Sequence, residues 1–210
     1  MKSVKKIFMN SIKKIRYSHQ IRETKETKIE VKLSLDNFAN YKIETASPFF
    51  SHMLEQFARH GLFNLEIKAN GDTEIDDHHL IEDTGIVLGL AFKEALGERK
   101  RIMRYGSARV PMDETLIEAD IDLTTRPFLF YNLKPNREWI GNFDTSLPLE
   151  FWRAFVNNCG LNLHINQERG ENAHHIIEAS FKAVTLALRK ACDINLQQSE
   201  SAVISTKGLL

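Results

Sequence analysis

Asp77-His78-His79-Leu80-Ile81-Glu82 and Ala173-His174-His175-Ile176-Ile177-Glu178 are two copies of one signature, His-His-x-x-Glu, and they sit inside a longer repeat. Upstream of the first copy, Glu26-Thr27-Lys28-Ile29-Glu30 runs into Val31-Lys32-Leu33-Ser34-Leu35-Asp36. It is echoed by Glu114-Thr115-Leu116-Ile117-Glu118 running into Ala119-Asp120-Ile121-Asp122-Leu123. Apolar and polar residues alternate in both, which predicts half-buried strands. Gly61-Leu62-Phe63-Asn64-Leu65-Glu66-Ile67 and Gly160-Leu161-Asn162-Leu163-His164-Ile165 each follow a helical stretch, with the glycine expected as the helix C-cap. The signature copies open two long helices, one burying Ile81, Leu88 and Phe92, the other Ile177, Val184 and Leu188.

Matching blocks in the same order divide the chain into two similar halves. The expected plan is a basic N-terminal extension over 1–20, a first half over 21–100, and a second half over 101–210 that ends in an anion-binding segment. Each half reads strands, helix, one or more strands, helix. That is an α+β pattern, with a small sheet per half covered on one side by its helices.

On a helix, residues four apart share a face while adjacent residues diverge by about 100°. His78 and Glu82 therefore converge, as do His174 and Glu178, whereas His79 and His175 aim at other targets. Each helix offers a two-ligand clamp plus one ligand for a second centre, and two such helices build two metal sites. Imidazole and carboxylate donors suit manganese, iron, cobalt or zinc, and the absence of thiolate argues against a structural zinc knot. Asp76, Asp77 and Asp83 are placed to cap the helix or orient the histidines. On the preceding helix Phe50, Leu54 and Phe57 form the buried stripe. His52, off that stripe, is a further metal-ligand candidate, and its counterpart after the repeat shift falls near Glu150. His60 lies at a helix end, and His164 reads as structural or as an outer support.

Composition narrows the function classes. Lys+Arg and Asp+Glu are equal at 28 each, so no global field favours nucleic acid, and any affinity for phosphate must come from a local cluster. No apolar run reaches the roughly 20 residues that cross a bilayer. Cys159 and Cys192 form no motif and fit a reducing, cytoplasmic setting. Residues 1–22 carry Lys2, Lys5, Lys6, Lys13, Lys14, Arg16 and Arg22, with no acid before Glu23, and Val4, Phe8, Ile12 and Ile15 fall at helical spacing. Lysine dominance favours a plain surface extension over a transit peptide.

Arg104 before Tyr105-Gly106, Arg126 before Pro127, and Ser205-Thr206-Lys207-Gly208 supply guanidinium, hydroxyl and ammonium groups beside turn-forming residues. Together they are candidates to wrap a phosphoryl group.

These segments resemble the imidazoleglycerol-phosphate dehydratase family over about residues 20–208. The resemblance is carried by Thr24-Lys25-Glu26-Thr27, Phe49-Phe50-Ser51-His52-Met53-Leu54, Arg59-His60-Gly61-Leu62-Phe63, Gly71-Asp72, Asp76-Asp77-His78-His79-x-x-Glu82-Asp83, Asn172-x-His174-His175-Ile176-Ile177-Glu178-Ala179 and Ser205-Thr206-Lys207-Gly208. It implies a duplicated fold of the ribosomal protein S5 domain 2-like kind and dehydration of imidazoleglycerol phosphate to imidazole-acetol phosphate in histidine biosynthesis. It also implies two manganese ions per active site and a homo-oligomer of 24 subunits. By the same resemblance one metal takes His52, His79, His174 and Glu178, and the other His78, Glu82, His175 and the residue at position 150. Many family members have histidine there, where this chain has Glu150. Glu26 and His60 would contact substrate, Arg104, Arg126, Ser205, Thr206 and Lys207 would hold its phosphate, and Glu26, Glu82 and Glu178 are the candidate catalytic carboxylates, with Glu26 as general base. A dinuclear metallohydrolase, which would release phosphate, and a non-catalytic metal-storing assembly, which would not need Arg104, are the competing readings.

Overall fold

A computed structural model describes residues 15–36 and 40–208. Val4, Phe8 and Ile12 of the expected amphipathic leader lie outside the described residues. The two halves repeat one topology. In the first, β1 (Tyr17–Glu23), β2 (Thr27–Ser34), β3 (Tyr41–Thr45) and β4 (Asn64–Gly71) form a sheet of order β1-β2-β4-β3. In the second, β5 (Tyr105–Met112), β6 (Thr115–Asp122), β7 (Phe128–Asn132) and β10 (Asn162–Arg169) form a sheet of order β5-β6-β10-β7. The edge strand β3 runs parallel to β4 and β7 parallel to β10, and the other pairings are antiparallel. Helix α1 (Pro48–Gly61) crosses from β3 to β4, and α3 (Leu147–Cys159) lies between β7 and β10 in the chain. Each sheet is then followed by a signature helix, α2 (His78–Leu96) or α4 (Ala173–Cys192). A small ribbon of β8 (Trp139–Ile140) and β9 (Phe143–Asp144) is inserted in the second half alone.

The helices lie between the sheets. Strand alternation puts Ile29, Val31, Leu33, Leu65 and Ile67 of the first sheet, and Ile117, Ala119, Leu163 and Ile165 of the second, into one core. Helices α2 and α4 cover the sheets of their own halves, while α2 packs mainly on α3 and α4 on α1 across the halves. An aromatic cluster fills the junction: Trp152 stands 4.7 Å from Phe181 and 6.3 Å from Phe57, and Phe92 stands 5.4 Å from Phe155. The expected buried residues Ile81, Leu88, Phe92, Ile177, Val184 and Leu188 are all fully enclosed.

Three expectations need correction. The sheet begins at Tyr17, inside the segment assigned to the extension, because Ser18 turns inward to bond Glu94 at 2.5 Å. Of the basic run only Arg16 and Arg22 lie among the described residues, and neither is plain surface charge: Arg16 chelates Asp36 and donates to the Cys192 carbonyl at 2.6 Å, and Arg22 pairs with Asp83. Gly61 is the last helical residue rather than the cap. Leu62 adopts the left-handed conformation, with φ 55°, and Gly61 lacks a side chain because a Cβ there would run into the Phe63 ring. Gly160, with φ 72°, caps α3 as expected.

Two glycines set the spacing of α2 against α3. A Cβ on Gly85 would stand 2.5 Å from the Phe151 carbonyl oxygen, and one on Gly89 2.6 Å from that of Phe155. Gly89→Val therefore overpacks a backbone-to-backbone contact and is expected to destabilise by about 1–3 kcal/mol. A lowered thermal unfolding midpoint checks this.

Candidate metal and anion site

Helix α4 starts after Asn172, whose side-chain oxygen accepts the N–H groups of His174 at 2.9 Å and His175 at 3.4 Å. One turn on, Glu178 Oε2 lies 2.9 Å from His174 Nε2. Helix α1, from the other half, brings His52 Nε2 to 3.2 Å from the same oxygen. One ligand atom from each of His52, His174 and Glu178 lies within 4.8 Å of the others, and this is the one such group of three among the described residues. The Glu178 side chain is 8% exposed while both imidazoles are 41% exposed, so the trio is open on one side. Burial alone would push Glu178 up, but Lys182 Nζ at 2.6 Å, with His174 and His52, pulls it down to about 2. It is a carboxylate under all ordinary conditions. Two imidazoles and a carboxylate converging on open space fit a divalent cation of the borderline kind.

The remaining expected ligands lie elsewhere within the chain. His175 turns away from His174, as adjacent helical positions must, and its Nδ1 stands 2.9 Å from Glu114 Oε2. On α2 the Asp76 carboxylate accepts the His78 N–H at 2.8 Å, and His78 Nε2 stands 3.5 Å from Glu82. His79 Nδ1 lies 3.0 Å from Asp72, and that hydrogen bond raises the ring above its ordinary range. Glu150 pairs with Arg153 at 2.5 Å in the first turn of α3. His79 thus does not join the His52 trio, and His78, Glu82, His175 and Glu150 do not form one group. Helix α4 packs on α1, and α2 on α3.

Glu26 occupies the turn between β1 and β2, closed by a Thr24 N–H to Thr27 carbonyl bond of 2.9 Å, and its carboxylate has no hydrogen bond or ion pair among the described residues. His60 lies in the last turn of α1, 3.2 Å from Gln56 Oε1. Burial, then Lys182 and Arg59, push its ring down against a smaller opposing pull from Glu178, and the net shift favours its neutral form. Arg104, Arg126, Ser205, Thr206 and Lys207 line one cavity of about 640 Å³ together with Tyr105, Thr124 and Thr125. Arg104 is held by Asp122 at 2.7 and 3.0 Å and donates to the Ile204 carbonyl, so one guanidinium ties the C-terminal tail to the second sheet. His164 is removed from all of these. It packs between Phe128 and Phe130 on the outer face of the second sheet.

Three participants escaped sequence reasoning. Lys182 stands four residues after Glu178, a spacing that signals the pair. Glu114 accepts the Asn172 N–H, bonds His175 and accepts the Thr115 hydroxyl, which together hold it far below the usual carboxylate range; its place as the repeat mate of Glu26 was the available signal. Asp72 as the partner of His79 left no local signal, because strand β4 and helix α2 bring them together through a turn.

Known proteins resemble this chain over most of its length. The family model described as imidazoleglycerol-phosphate dehydratase matches residues 45–188. Imidazoleglycerol-phosphate dehydratase of Prochlorococcus marinus subsp. pastoris is 53% identical over 196 residues, covering 93% of this chain and 97% of its own. That of Trichlorobacter lovleyi is 52% identical over 191 residues, covering 90% and 96%. Among solved structures, the Staphylococcus aureus imidazoleglycerol-phosphate dehydratase superposes with a TM-score of 0.78 at 39% identity, over 85% of this chain and 99% of its own. The Pyrococcus furiosus protein in complex with (S)-C348 superposes with 0.78 at 37% identity, over 91% and 100%.

Removing the carboxylate from the trio tests its role directly. Glu178→Gln is expected to weaken divalent-cation binding by more than the roughly 10–100-fold that loss of an outer hydrogen-bond partner costs. Titration of the metal-stripped protein with Mn2+, read by the signal of free ion, gives the number.

Proposed function

The chain belongs to the imidazoleglycerol-phosphate dehydratase family, hydro-lyases of histidine biosynthesis, and from that premise we propose how its residues divide the work of removing water from imidazoleglycerol phosphate. The observation that carries the reading is the meeting of His52, His174 and Glu178 from opposite halves of the chain. Those three would hold one manganese ion together with His79, and His78, Glu82, His175 and Glu150 would hold a second. A bound ion supplies Lewis acidity toward a ring nitrogen, lowering its pKa and easing departure of the hydroxyl group. Within one chain His79 is committed to Asp72, away from the trio. That separation supports a homo-oligomer, of 24 copies as the family resemblance implies, in which one chain's ligands complete another's site. The absence of any helix long and apolar enough to cross a membrane among the described residues, together with two buried, unpaired thiols, supports action in the cytoplasm.

The chain's own groups divide as follows. Arg126 and Lys207 bring positive charge to the cavity, Ser205 and Thr206 bring hydroxyls, and Arg104 fixes the wall that carries them. A phosphate held there is oriented by several donors at once, which converts a loose encounter into a fixed one. The free Glu26 carboxylate takes the carbon-bound proton, and the His60 ring, its pKa lowered by burial, is available to hydrogen-bond a substrate hydroxyl.

Metal-stripped protein is expected to be inactive on imidazoleglycerol phosphate and to recover with manganese. Glu26→Gln is expected to lower kcat by about 10²–10⁴-fold with the metal content retained, the range for loss of a general base. In contrast, Arg126→Ala is expected to act chiefly on KM. Steady-state kinetics with metal analysis checks all three, and full turnover by Glu26→Gln rules out its role as base.

A further inference from the structure

We propose that Asp83, held between the Arg22 guanidinium and the Thr27 hydroxyl, is a positioning residue that fixes the turn carrying Glu26. The inference rests on the reading of Glu26 given above. It comes from the duplication, which supplies an internal control. Glu26 and Glu114 occupy matching positions in matching turns: Thr24 and Thr27 flank Lys25-Glu26, and Met112 and Thr115 flank Asp113-Glu114. The helix following each half's sheet covers the turn, so the same neighbourhood is built twice.

The two neighbourhoods are wired differently. In the second half Glu114 is the anchor, because its carboxylate accepts the Thr115 hydroxyl at 2.8 Å and the Asn172 N–H at 2.9 Å while reaching His175. A group so engaged is not free to move a proton. In the first half the imidazole duty falls to Asp72 and the Glu26 carboxylate stays free, so the turn needs another tie to the helix behind it. That tie is the Thr27 hydroxyl, which donates to Asp83 on α2 instead of to its neighbouring glutamate. Thr24 Oγ1 in turn accepts the N–H of Glu26 at 3.1 Å and of Thr27 at 2.9 Å, which connects Asp83 to the Glu26 backbone through two side chains.

The fold itself does not demand a charge at this place. Arg22 pairs in register with Ile29, and its counterpart Val110 with Ile117, while Asp83 falls one residue after the signature glutamate where the second half has Ala179. Val110 and Ala179 are buried and apolar, and the second half packs as well with them. A largely buried carboxylate costs desolvation that an ion pair at 3.1 Å only partly offsets, and an apolar replacement is often neutral or stabilising. A device that stability does not require, present only in the half whose glutamate is free, is placed to serve that glutamate.

The test transplants the second half's solution into the first. Arg22→Val/Asp83→Ala is expected to fold and assemble, with metal content unchanged and KM within about twofold. Its kcat is expected to fall by about 10–100-fold, the scale of a misplacement of about 1 Å. Thr27→Val leaves the ion pair intact and cuts only the link, so it is expected to lower kcat in the same direction, with Thr27→Ser restoring it. In a Glu26→Gln background the double change is expected to add no further loss. Wild-type kcat in both the double variant and Thr27→Val, or a lower unfolding midpoint with unchanged kcat per folded protein, overturns the positioning role while leaving Glu26 as base. A loss that adds fully to that of Glu26→Gln also overturns it, by showing action elsewhere. Full turnover by Glu26→Gln alone instead refutes the Glu26 reading.

Discussion

The packing of α1 against α4 is the contact on which the site depends. His52 comes from one half and His174 and Glu178 from the other, so the trio exists only where the halves dock. The docking is held from several directions: the Thr185 hydroxyl donates to the Phe57 carbonyl at 3.0 Å, Trp152 packs against Phe57 and Phe181, and Phe49 sits edge-on to His174 at 5.2 Å. Aromatic surface buried at that junction therefore sets imidazole geometry directly. The converse also holds. Any cation gripped by ligands from both halves adds its binding free energy to their association, so metal and fold are thermodynamically linked.

Much of this was legible in the sequence because it follows from short-range periodicity. The four-residue spacing placed Glu178 beside His174, and the adjacent-residue rule correctly sent His175 away. The repeat predicted a small sheet in each half covered by its helices, and the two sheets prove to share one strand order, since equal patterns fold equally. What could not be read was set by tertiary contact. Nothing local distinguishes Asp72 from Glu114 as the acid that takes an imidazole, because the choice depends on which turn each strand delivers to which helix. Leu62 as a left-handed cap beside an available glycine is a second case. The Phe63 ring, packed by Phe57 and Phe92, claims the space over Gly61 and moves the cap by one residue.

The duplication also explains why the two halves look alike and act differently. A repeated scaffold offers each position twice, and once one copy satisfies a structural need the other is released from it. The first half follows β4 with an acid, Asp72, that serves its imidazole, and the second half uses its turn glutamate for the same duty. The β8-β9 ribbon, present only in the second half, places Phe143 4.7 Å from Phe49 and so supports the ring that abuts His174. The halves differ at turns, at helix N-termini and at the Arg22-Asp83 pair, where the second half has Val110 and Ala179.

Electrostatics follows the same logic of local rather than global design. Formal charges cancel over the whole chain, and the outer face of the first sheet is a mosaic of close opposite pairs such as Lys28 with Glu23, Lys32 with Glu66 and Lys42 with Glu44. Exposed pairs of this kind contribute little each, but they leave no field at a distance. In the anion cavity Arg104 is neutralised by Asp122, so the uncompensated charge comes from Arg126 and Lys207, which have no carboxylate partner among the described residues. Screening over about 8 Å at physiological salt confines their attraction to the mouth of the cavity. On the proposed reading, capture of a phosphorylated substrate rests on donors fixed in place before it arrives, and Arg104 would serve it by tying the tail at Ile204 to the strand at Asp122.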